Sequence, residues 1–369
     1  MMERRRLERR RGWALGTLAC VAAWLAWLNA CAAPLRIDPL ERRSPEPATD
    51  ARLELARTYA PWIYHAVHPT RGRQDIPAPV DFDGNLDGDD NWESFPRCEL
   101  VPTVYYAHLE TQTHHFLTYH VFHPRDWATL DFGLHQTHEG DGENLQVVVV
   151  KASGRVSMLF TQAHYCGEVY DVRLSPDRGG VRGGELVLVN ERGQRDSERG
   201  THPAVFVESG GHGIYGVDGR RDDVTDSGVS PALVEHGIVF RPAVPGELAS
   251  EPSLDAREPV PYQLESTTAK LWPGVRSGEL VGRGRLLDGT VRYEDERVST
   301  DLPKFHRGDR FSGPFGSSRG ISPFAVDFGW RAGTLGALFF DPARRYRDVL
   351  GATSEPWSLE YVDYPFATR

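Results

Sequence analysis

The sequence predicts a mainly β protein, a two-sheet antiparallel β-sandwich with long loops and a short N-terminal helix. Short runs rich in β-branched and aromatic residues recur along the chain, and Gly, Pro, Asp or Asn bounds each of them. These runs are 103–107, 115–122, 145–150, 156–160, 185–189 and 204–208. Helical periodicity is nearly absent after residue 60. Because many strands follow one another at short intervals, two packed antiparallel sheets are favoured over a parallel α/β sheet.

One short helix is predicted before the strands. Asp50 can cap it, and apolar residues recur at helical spacing as far as Tyr59. Pro61 follows and cannot continue the helix. The helix is therefore expected at about 50–59.

The domain organisation follows from composition along the chain. Three prolines among charged residues at 36–50 indicate a tether. Residues 218–260 are rich in Asp, Pro and Gly and are expected to form surface loops, whereas the aromatic C-terminal part is expected to pack on the same core. We therefore predict a leader at 1–33, a tether at 34–50 and a single elaborated β-sandwich domain at 51–369.

The overall charge excludes one class of partner. The 369 residues carry a formal net charge of −10, with 40% hydrophobic and 25% charged residues. These are ordinary globular values, and they argue against a disordered, collagen-like or multi-spanning chain. Six arginines and two glutamates give residues 1–30 a charge of +4, so the remainder carries −14. A broad nucleic-acid surface is therefore not expected.

The N-terminal residues resemble an export signal. Arginines precede the apolar stretch 13–28, and small residues follow it. The segment 28–31, Leu-Asn-Ala-Cys, is similar to the bacterial lipobox, with Cys31 as the lipidated residue. We expect an exported lipoprotein of the bacterial cell envelope, held at the membrane by its N-terminal lipid. The alternatives are soluble export and an uncleaved anchor, although about 16 apolar residues fall short of the roughly 20 that span a bilayer.

Two cysteines remain outside the leader, Cys98 and Cys166. An oxidising compartment favours a structural disulfide between them, with free buried thiols as the alternative. The pairing is therefore an expectation that needs the two residues to lie close together in the fold.

The densest set of metal ligands is the segment 138–143, His-Glu-Gly-Asp-Gly-Glu, directly before a predicted strand. Because side chains alternate along a strand, Asp141 and Glu143 are expected on one face, with His138 folding over it from the preceding loop. One imidazole and two carboxylates suit a divalent cation: Ca²⁺, Mg²⁺ or Mn²⁺ where oxygens dominate, and Zn²⁺ or Fe²⁺ if more histidines join. The alternative is a solvated acidic turn.

His212 is a further candidate ligand. Gly211 and Gly213 flank it, and glycines allow a loop to approach closely and to present one side chain into a site. His164 is another candidate. The alternative for such isolated histidines is a hydrogen-bonded structural role.

A second acidic segment lies at 81–93. Oxygen-bearing residues alternate there as in a calcium loop, namely Asp81, Asp83, Asn85 and Asp87. Leu86 and Trp92 stand where an EF-hand needs Gly and Glu, which excludes that motif. The segment is therefore either a second cation site, an Asp-Gly turn cluster or the source of one more carboxylate for the His138 site.

Several histidines lie on or near the predicted strand 115–122. Alternation places Thr118 and His120 on one face and His115 and Tyr119 on the other. These histidines are expected to be structural residues or to line the wall of a cleft.

These residues together resemble two families. The core His138-x-x-Asp141-x-Glu143 is followed by a strand, by Ala-His at 163–164, by His-Pro-Ala-Val-Phe-Val at 202–207 and by Gly-His-Gly-Ile-Tyr at 211–215. With the upstream Tyr-Ala-Pro at 59–61, this order resembles the vacuolar-protein-sorting-associated protein 62 family.

The core is also similar to the heptapeptide of the necrosis- and ethylene-inducing peptide-like proteins, which are secreted β-sandwich proteins. That resemblance implies that His138, Asp141 and Glu143 help to hold a divalent cation. This chain departs from the heptapeptide at Gly142, where those families usually have Trp, and at Gly140, where they have His.

Two enzyme classes are not supported. Gly-Ser-Ser-Arg-Gly at 316–320 matches the pattern of a nucleophile elbow, but no histidine follows Ser318 in the chain. Rossmann and Walker A fingerprints are absent from the sequence.

Three functional hypotheses remain. In the first, the chain is a lipid-anchored β-sandwich that binds a divalent cation through His138, Asp141 and Glu143 near His212, and through the cation a polar small molecule or glycan of the envelope or surface. In the second, it is a metal-dependent hydrolase of a phosphoester, ester or glycoside, with Glu139 or Glu143 as general base and His212 as acid. In the third, it is a structural envelope protein.

Overall fold

The structure is a computed structural model of the chain. It describes residues 50–86, 90–126, 138–163, 166–170, 184–217, 237–277, 279, 290–295, 298–303, 341–350 and 356–366. The leader, most of the tether, Cys31, Asp87 and His164 lie outside these residues. None of the helices in the described part is both long and apolar enough to cross a membrane.

The described part is mainly β. Its strands are β1 (Trp62–Ala66), β2 (Thr103–Thr111), β3 (His114–Asp126), β4 (His138–Val150), β5 (Arg155–Ala163), β6 (Cys166–Tyr170), β7 (Leu188–Val189), β8 (His202–Val207), β9 (Ile214–Gly216), β10 (Gly237–Pro242), β11 (Val260–Ser266), β12 (Thr290–Asp295), β13 (Val298–Pro303) and β14 (Tyr361–Asp363). Each predicted β-rich run overlaps one of them, although the run 185–189 contributes only the two residues of β7.

Helices are few and short. They are α1 (Asp50–Tyr59), α2 (Asn91–Ser94), α3 (Thr267–Lys270), α4 (Trp272–Ser277) and α5 (Pro342–Leu350), with 3-10 turns at Gly72–Asp75 and Phe95–Arg97. The predicted N-terminal helix is confirmed as α1.

The strands form one large, nearly closed sheet, so the predicted two-sheet sandwich is not confirmed. Its order is β6-β5-β4-β3-β2-β11-β10-β1-β8-β7, with β14 paired to β2 and β9 paired to β8; β12 and β13 form a separate hairpin. The parallel pairing of β11 with β2 continues the ladder between the two halves. At the other side β9 approaches β5, and a Cβ on Gly216 would lie 2.6 Å from the Tyr170 ring. Because no ladder is interrupted between the halves, the sheet curls around its own core.

Alternation along the strands fills the inside of this sheet with apolar side chains. On β2 to β4 these are Val104, Tyr106, Leu117, Tyr119, Val121, Leu145, Val147 and Val149, all buried. Each such side chain contributes about 1.5–3 kcal/mol of burial free energy. Helix α1 packs on the same core, and the Tyr119 hydroxyl donates to the Ala56 carbonyl at 2.7 Å.

A second apolar cluster covers the outer face of β2 to β5. Phe116, Val148 and Phe160 pack there beneath Trp272 of α4 and Tyr346 of α5. Aromatic residues from the C-terminal part thus cover apolar surface of the sheet, as the sequence predicted.

Polar side chains are also buried on this outer face. His120 Nδ1 lies 2.9 Å from Asn144 Oδ1, and the Asn144 amide donates to Gln162 Oε1 at 3.1 Å. The Gln146 amide donates to Thr118 Oγ1 at 2.8 Å. Thr118 and His120 therefore share a face, as alternation predicts, and each is hydrogen-bonded to a polar side chain of β4.

The structure contradicts the predicted disulfide, because Cys98 has a free thiol. Cys98 follows the 3-10 turn Phe95–Arg97 on the way into β2, whereas Cys166 begins β6. In the sheet order, β3, β4 and β5 lie between β2 and β6. A disulfide needs Cα atoms within about 7 Å of each other.

Candidate metal centre

Histidines and carboxylates converge at one end of the inner face of the sheet. His65 is on β1, His123 is near the end of β3, and Asp141 and Glu143 are near the start of β4. His123 and Asp141 are direct cross-strand partners, so alternation points them to the same side. All four side chains are buried.

Two loop residues complete this arrangement. Asp75 ends a 3-10 turn and accepts hydrogen bonds from the backbone N–H of His68 at 2.7 Å and of Gly210 at 3.0 Å. The Ser209 hydroxyl donates to the same carboxylate at 2.9 Å. Asp75 thereby fixes the loop that carries His212. We call His65, Asp75, His123, Asp141 and His212 the buried group.

From the sequence we expect the glycines on both sides of His212 to supply the unusual backbone conformation of this loop, and the structure differs from that expectation. His212 itself adopts the left-handed region, with φ of 52°, a conformation that costs a non-glycine residue about 1 kcal/mol or more. Gly213 supplies the close approach instead, since a Cβ there would lie 2.8 Å from Glu208 Oε1 and 3.0 Å from the Ala163 Cβ. The tertiary contacts of the imidazole hold this strained backbone in place.

His212 bridges two buried carboxylates. Its Nδ1 is 2.9 Å from Asp141 Oδ2 and its Nε2 is 3.2 Å from Asp75 Oδ1. Burial lowers the pKa of His212, but the hydrogen bonds and charges of Asp141 and Asp75 outweigh that effect and raise the pKa to about 10. The same partnership lowers the pKa of Asp75, although burial by itself raises it. His212 is therefore an imidazolium at neutral pH.

The other two histidines of the buried group are neutral. Burial lowers the pKa of His65 to about 4 and that of His123 well below its ordinary value. His65 Nδ1–H donates to the Ala66 carbonyl at 2.7 Å, so His65 Nε2 accepts from His123 Nε2–H at 2.9 Å. This leaves a lone pair on His123 Nδ1, which has no hydrogen-bond partner among the described residues.

The rings of His123 and His212 are stacked, with centroids 3.7 Å apart and planes 10° from parallel. A neutral ring facing a cationic one is a favourable electrostatic contact. This contact connects β3 to the loop after β8.

Several charged side chains are buried in the described part, namely Asp75, Arg125, Asp126, Asp141, Glu143 and His212. Burying a charge is costly unless it has a partner. His212 is the charged partner of both Asp75 and Asp141, through contacts of 3.2 and 2.9 Å.

Part of the group has the geometry of a metal site. His123, Asp141 and His212 each offer one ligand atom, and these atoms lie within 4.8 Å of one another. The unpartnered lone pair of His123 Nδ1 beside Asp141 fits such an ion. His212 offers a lone pair only when it loses the proton that Asp75 and Asp141 hold on it. We therefore regard His123 and Asp141 as the better ligands and His212 as the residue that orients Asp141.

The predicted ligand segment begins β4. His138 and Glu139 pair with Asp126 and Arg125 of β3, and the side chains of His138 and Glu139 lie outside the described residues. Gly140 has φ of 60°, which interrupts the alternation between His138 and Asp141. Asp141 and Glu143 share the inner face, as predicted, but they lie within the strand and are fully buried, so the solvated acidic turn does not describe them.

The second acidic segment forms a turn with internal hydrogen bonds. The backbone N–H of Asn85 donates to Asp83 Oδ1 at 3.1 Å, and its amide donates to Asp83 Oδ2 at 3.1 Å and to Asp90 Oδ2 at 3.2 Å. Asp81 and Asn85 are exposed to solvent. A cation site through Asp81, Asp83, Asn85 and Asp87 stays a prediction.

Sequence reasoning missed His65 and Asp75 and did not assign His123 to this site. His65 shares the inner face of β1 with Ile63, and that signal is present in the alternation of Trp-Ile-Tyr-His-Ala. Asp75 gives no local signal, because its role depends on residues more than 60 positions away.

No protein-family model matches the chain, and no curated protein matches it. Among solved structures, one described as "Toxin fold for microbial attack and plant defense" has 14% identity and a TM-score of 0.30, covering 64% of this chain and 83% of its own. Necrosis and Ethylene inducing Protein 2, from the causal agent of cocoa's Witches Broom disease, has 13% identity and a TM-score of 0.27, covering 67% and 98%. NLPPya in complex with mannosamine has 17% identity and a TM-score of 0.28, covering 49% and 73%.

These structural neighbours include the necrosis- and ethylene-inducing proteins, whose core motif the sequence resembles. Nothing found supports the resemblance to the vacuolar-protein-sorting-associated protein 62 family. At these identities and TM-scores the likeness supports no conclusion about the fold, ligand or activity of this chain.

Proposed function

We propose that this chain is an exported, lipid-anchored protein of the bacterial cell envelope that binds a divalent cation and, through it, a polar ligand of the envelope or surface. The observation that carries the cation is the convergence of His123, Asp141 and His212, whose ligand atoms lie within 4.8 Å of one another.

The residues that we assign to the ion are Asp141, Glu143 and His123, with His138 entering from the start of β4. Asp141 and Glu143 share the inner face, and His123 is the cross-strand partner of Asp141 with an unpartnered lone pair on Nδ1. His212 orients Asp141 through its 2.9 Å contact, and Asp75 keeps His212 in place at 3.2 Å. Because two carboxylates can supply up to four oxygens against two imidazole nitrogens, Ca²⁺, Mg²⁺ or Mn²⁺ are preferred over Zn²⁺.

Export and lipidation are supported by the leader, with Cys31 as the lipidated residue. The change Cys31→Ser should move the protein from the membrane to the soluble fraction. An unchanged membrane fraction would contradict lipidation.

A purely structural role for the cation is the second candidate. It is favoured by the complete burial of Asp141, Glu143 and His123, which encloses an ion held by these residues. In that case the ion joins β3 and β4 to the loop of His212 and does not contact a ligand.

Metal analysis of the full chain tests the proposal. We expect one Ca²⁺, Mg²⁺ or Mn²⁺ per chain in the wild type and a loss of that ion in Asp141→Asn, while Glu198→Gln, at an exposed position outside the candidate sites, keeps it. Equal and negligible metal in wild type and Asp141→Asn would remove both candidates.

Binding and activity measurements then separate the roles. Binding to a panel of glycans and phosphate or carboxylate compounds, with and without chelator, should show cation-dependent retention if the first candidate is correct. A chelator that lowers only the melting temperature supports the structural candidate. Hydrolysis of phosphoesters, esters or glycosides that stops with chelator would instead establish an enzyme.

A further inference from the structure

A second set of ligating side chains lies at the opposite end of the inner face. His108 and Glu110 are two residues apart on β2, so they point to the same side of the sheet, and His115 on β3 is the cross-strand partner of Glu110. We call these three residues the hairpin group. His115 and His123 are eight residues apart along β3, about 27 Å. The hairpin group is therefore separate from the buried group.

The ligand atoms of the hairpin group have the spacing of donors around one ion. His108 Nε2 is 3.0 Å from His115 Nδ1, and Glu110 Oε2 is 3.9 Å from the same nitrogen. The second distance is too long for a hydrogen bond. Donors about 2.1 Å from a metal, at angles of about 90–135°, lie about 3.0–3.9 Å apart. All three ligand atoms lie within 4.8 Å of one another.

The nearby charge of Lys151 leaves one oxygen of Glu110 available to bind an ion. Lys151 Nζ contacts Glu110 Oε1 and donates to the Thr111 carbonyl at 3.2 Å, so Glu110 Oε2 is the oxygen that faces His115. An ion can therefore take Oε2 while Lys151 keeps Oε1. Lys151 neutralises Glu110, so net charge does not attract an ion here.

The far side of His108 has a carboxylate neighbour. Asp363 Oδ2 of β14 is 3.8 Å from His108 Nδ1, and it forms an ion pair with Arg52 Nη2 at 2.7 Å. A histidine that binds a metal commonly directs its other N–H to a carboxylate, which fixes the tautomer. At 3.8 Å the contact with Asp363 is electrostatic and not a hydrogen bond; a proton on His108 Nδ1 would face this carboxylate and leave the lone pair of Nε2 toward His115.

We infer that His108, Glu110 and His115 form a second metal site, selective for Zn²⁺ or a similar first-row transition ion. Two nitrogen donors and one carboxylate oxygen suit such an ion better than Ca²⁺ or Mg²⁺, which prefer oxygen ligands. Glu110 and His115 are partly exposed, at 23% and 18% of their side chains, so the fourth position of the ion is open to water. This inference does not depend on the proposed function.

Zinc binding by the full chain in the presence of excess Ca²⁺ tests the inference. After removal of metals with EDTA, the protein is dialysed against Zn²⁺ with Ca²⁺ present to occupy oxygen-rich sites. We expect one Zn²⁺ per chain in the wild type and in Asp141→Asn, and at least about 100-fold weaker binding in His115→Gln, because a ligand itself is lost. The control His68→Gln removes an imidazole outside the group and should bind as the wild type does.

Far-UV circular dichroism and the melting temperature establish that each variant is folded, and Glu110→Gln replaces His115→Gln if the latter fails to fold. If the wild type binds no Zn²⁺ when Ca²⁺ is in excess, the inference is overturned. Zn²⁺ that stays in His115→Gln and disappears in Asp141→Asn would place the ion at the buried group and would also overturn it. Loss in His115→Gln with retention in Asp141→Asn confirms the hairpin site, whatever the result for the proposed function.

Discussion

The buried group and the hairpin group lie at the two ends of one inner face, and the chain builds them in different ways. The hairpin group comes from eight consecutive positions, 108–115, joined by a short turn. The buried group gathers residues between 65 and 212 from three strands and two loops. The first depends mainly on local pairing of two strands, whereas the second exists only when the whole sheet has closed.

The electrostatic environments differ as well. At the buried group, the side chains are enclosed by the fold, and His212 keeps a proton because two carboxylates share it. At the hairpin group, Lys151 neutralises Glu110 and the side chains reach solvent. The comparison teaches that both groups offer the same core donors, two imidazoles and one carboxylate, so the preferred ion depends on whether the nearby carboxylate of Glu143 adds oxygens at the buried group.

The largest expected effect is a loss of folding stability, which should be much greater for a substitution in the buried group than for one in the hairpin group. Asp75→Asn removes a buried carboxylate that holds His212, the Ser209 hydroxyl and the backbone N–H of Gly210. Breaking a buried ion pair costs about 3–5 kcal/mol. His115→Gln, at a partly exposed position, should cost about 1 kcal/mol or less. Urea unfolding of both variants with EDTA present measures the difference, and equal losses would contradict the contrast between the groups.

The next effect is a loss of stability at alkaline pH that belongs to the buried group. The pKa of His212 is raised to about 10, so its stabilising contribution is complete below the unfolded value of about 6.5 and is lost as pH rises toward 10. Between pH 7 and pH 9 the loss is about 2.5 kcal/mol. The free energy of unfolding of the wild type with EDTA present should fall by that amount, and His212→Gln should show a much flatter profile. A wild-type profile that is flat to pH 9 would show that His212 is not an imidazolium.

The smallest expected effect is a loss of stability at acid pH instead of alkaline pH, and it comes from His108 of the hairpin group. Burial holds the pKa of His108 near 3, so its contribution is present above about 6.5 and is lost as pH falls, because the unfolded chain takes up the proton first. Between pH 7 and pH 5 this amounts to about 2 kcal/mol. Other buried neutral histidines, such as His120 with a pKa of about 3, add to the acid loss.

The variant His108→Gln isolates this contribution. Its free energy of unfolding should fall by about 2 kcal/mol less than that of the wild type over the same pH interval. Identical acid profiles for the two proteins would mean that His108 takes up a proton equally well in the folded chain.

The sequence alone determined the local features of this protein. Helix α1 forms where a cap, an apolar repeat and Pro61 occur together, and the β-rich runs form strands because these signals act over a few residues. Alternation also determined that Asp141 and Glu143 share a face. Each of these follows from backbone geometry within one element.

Only the tertiary structure decided how these elements meet. The parallel pairing of β11 with β2 turned two expected sheets into one, and that closure brought Asp75, His65 and His212 together. It also left Cys98 without the expected partner. Sequence spacing carries no information about such contacts, because strand order in a sheet depends on the packing of the whole core and not on the residues of any one strand.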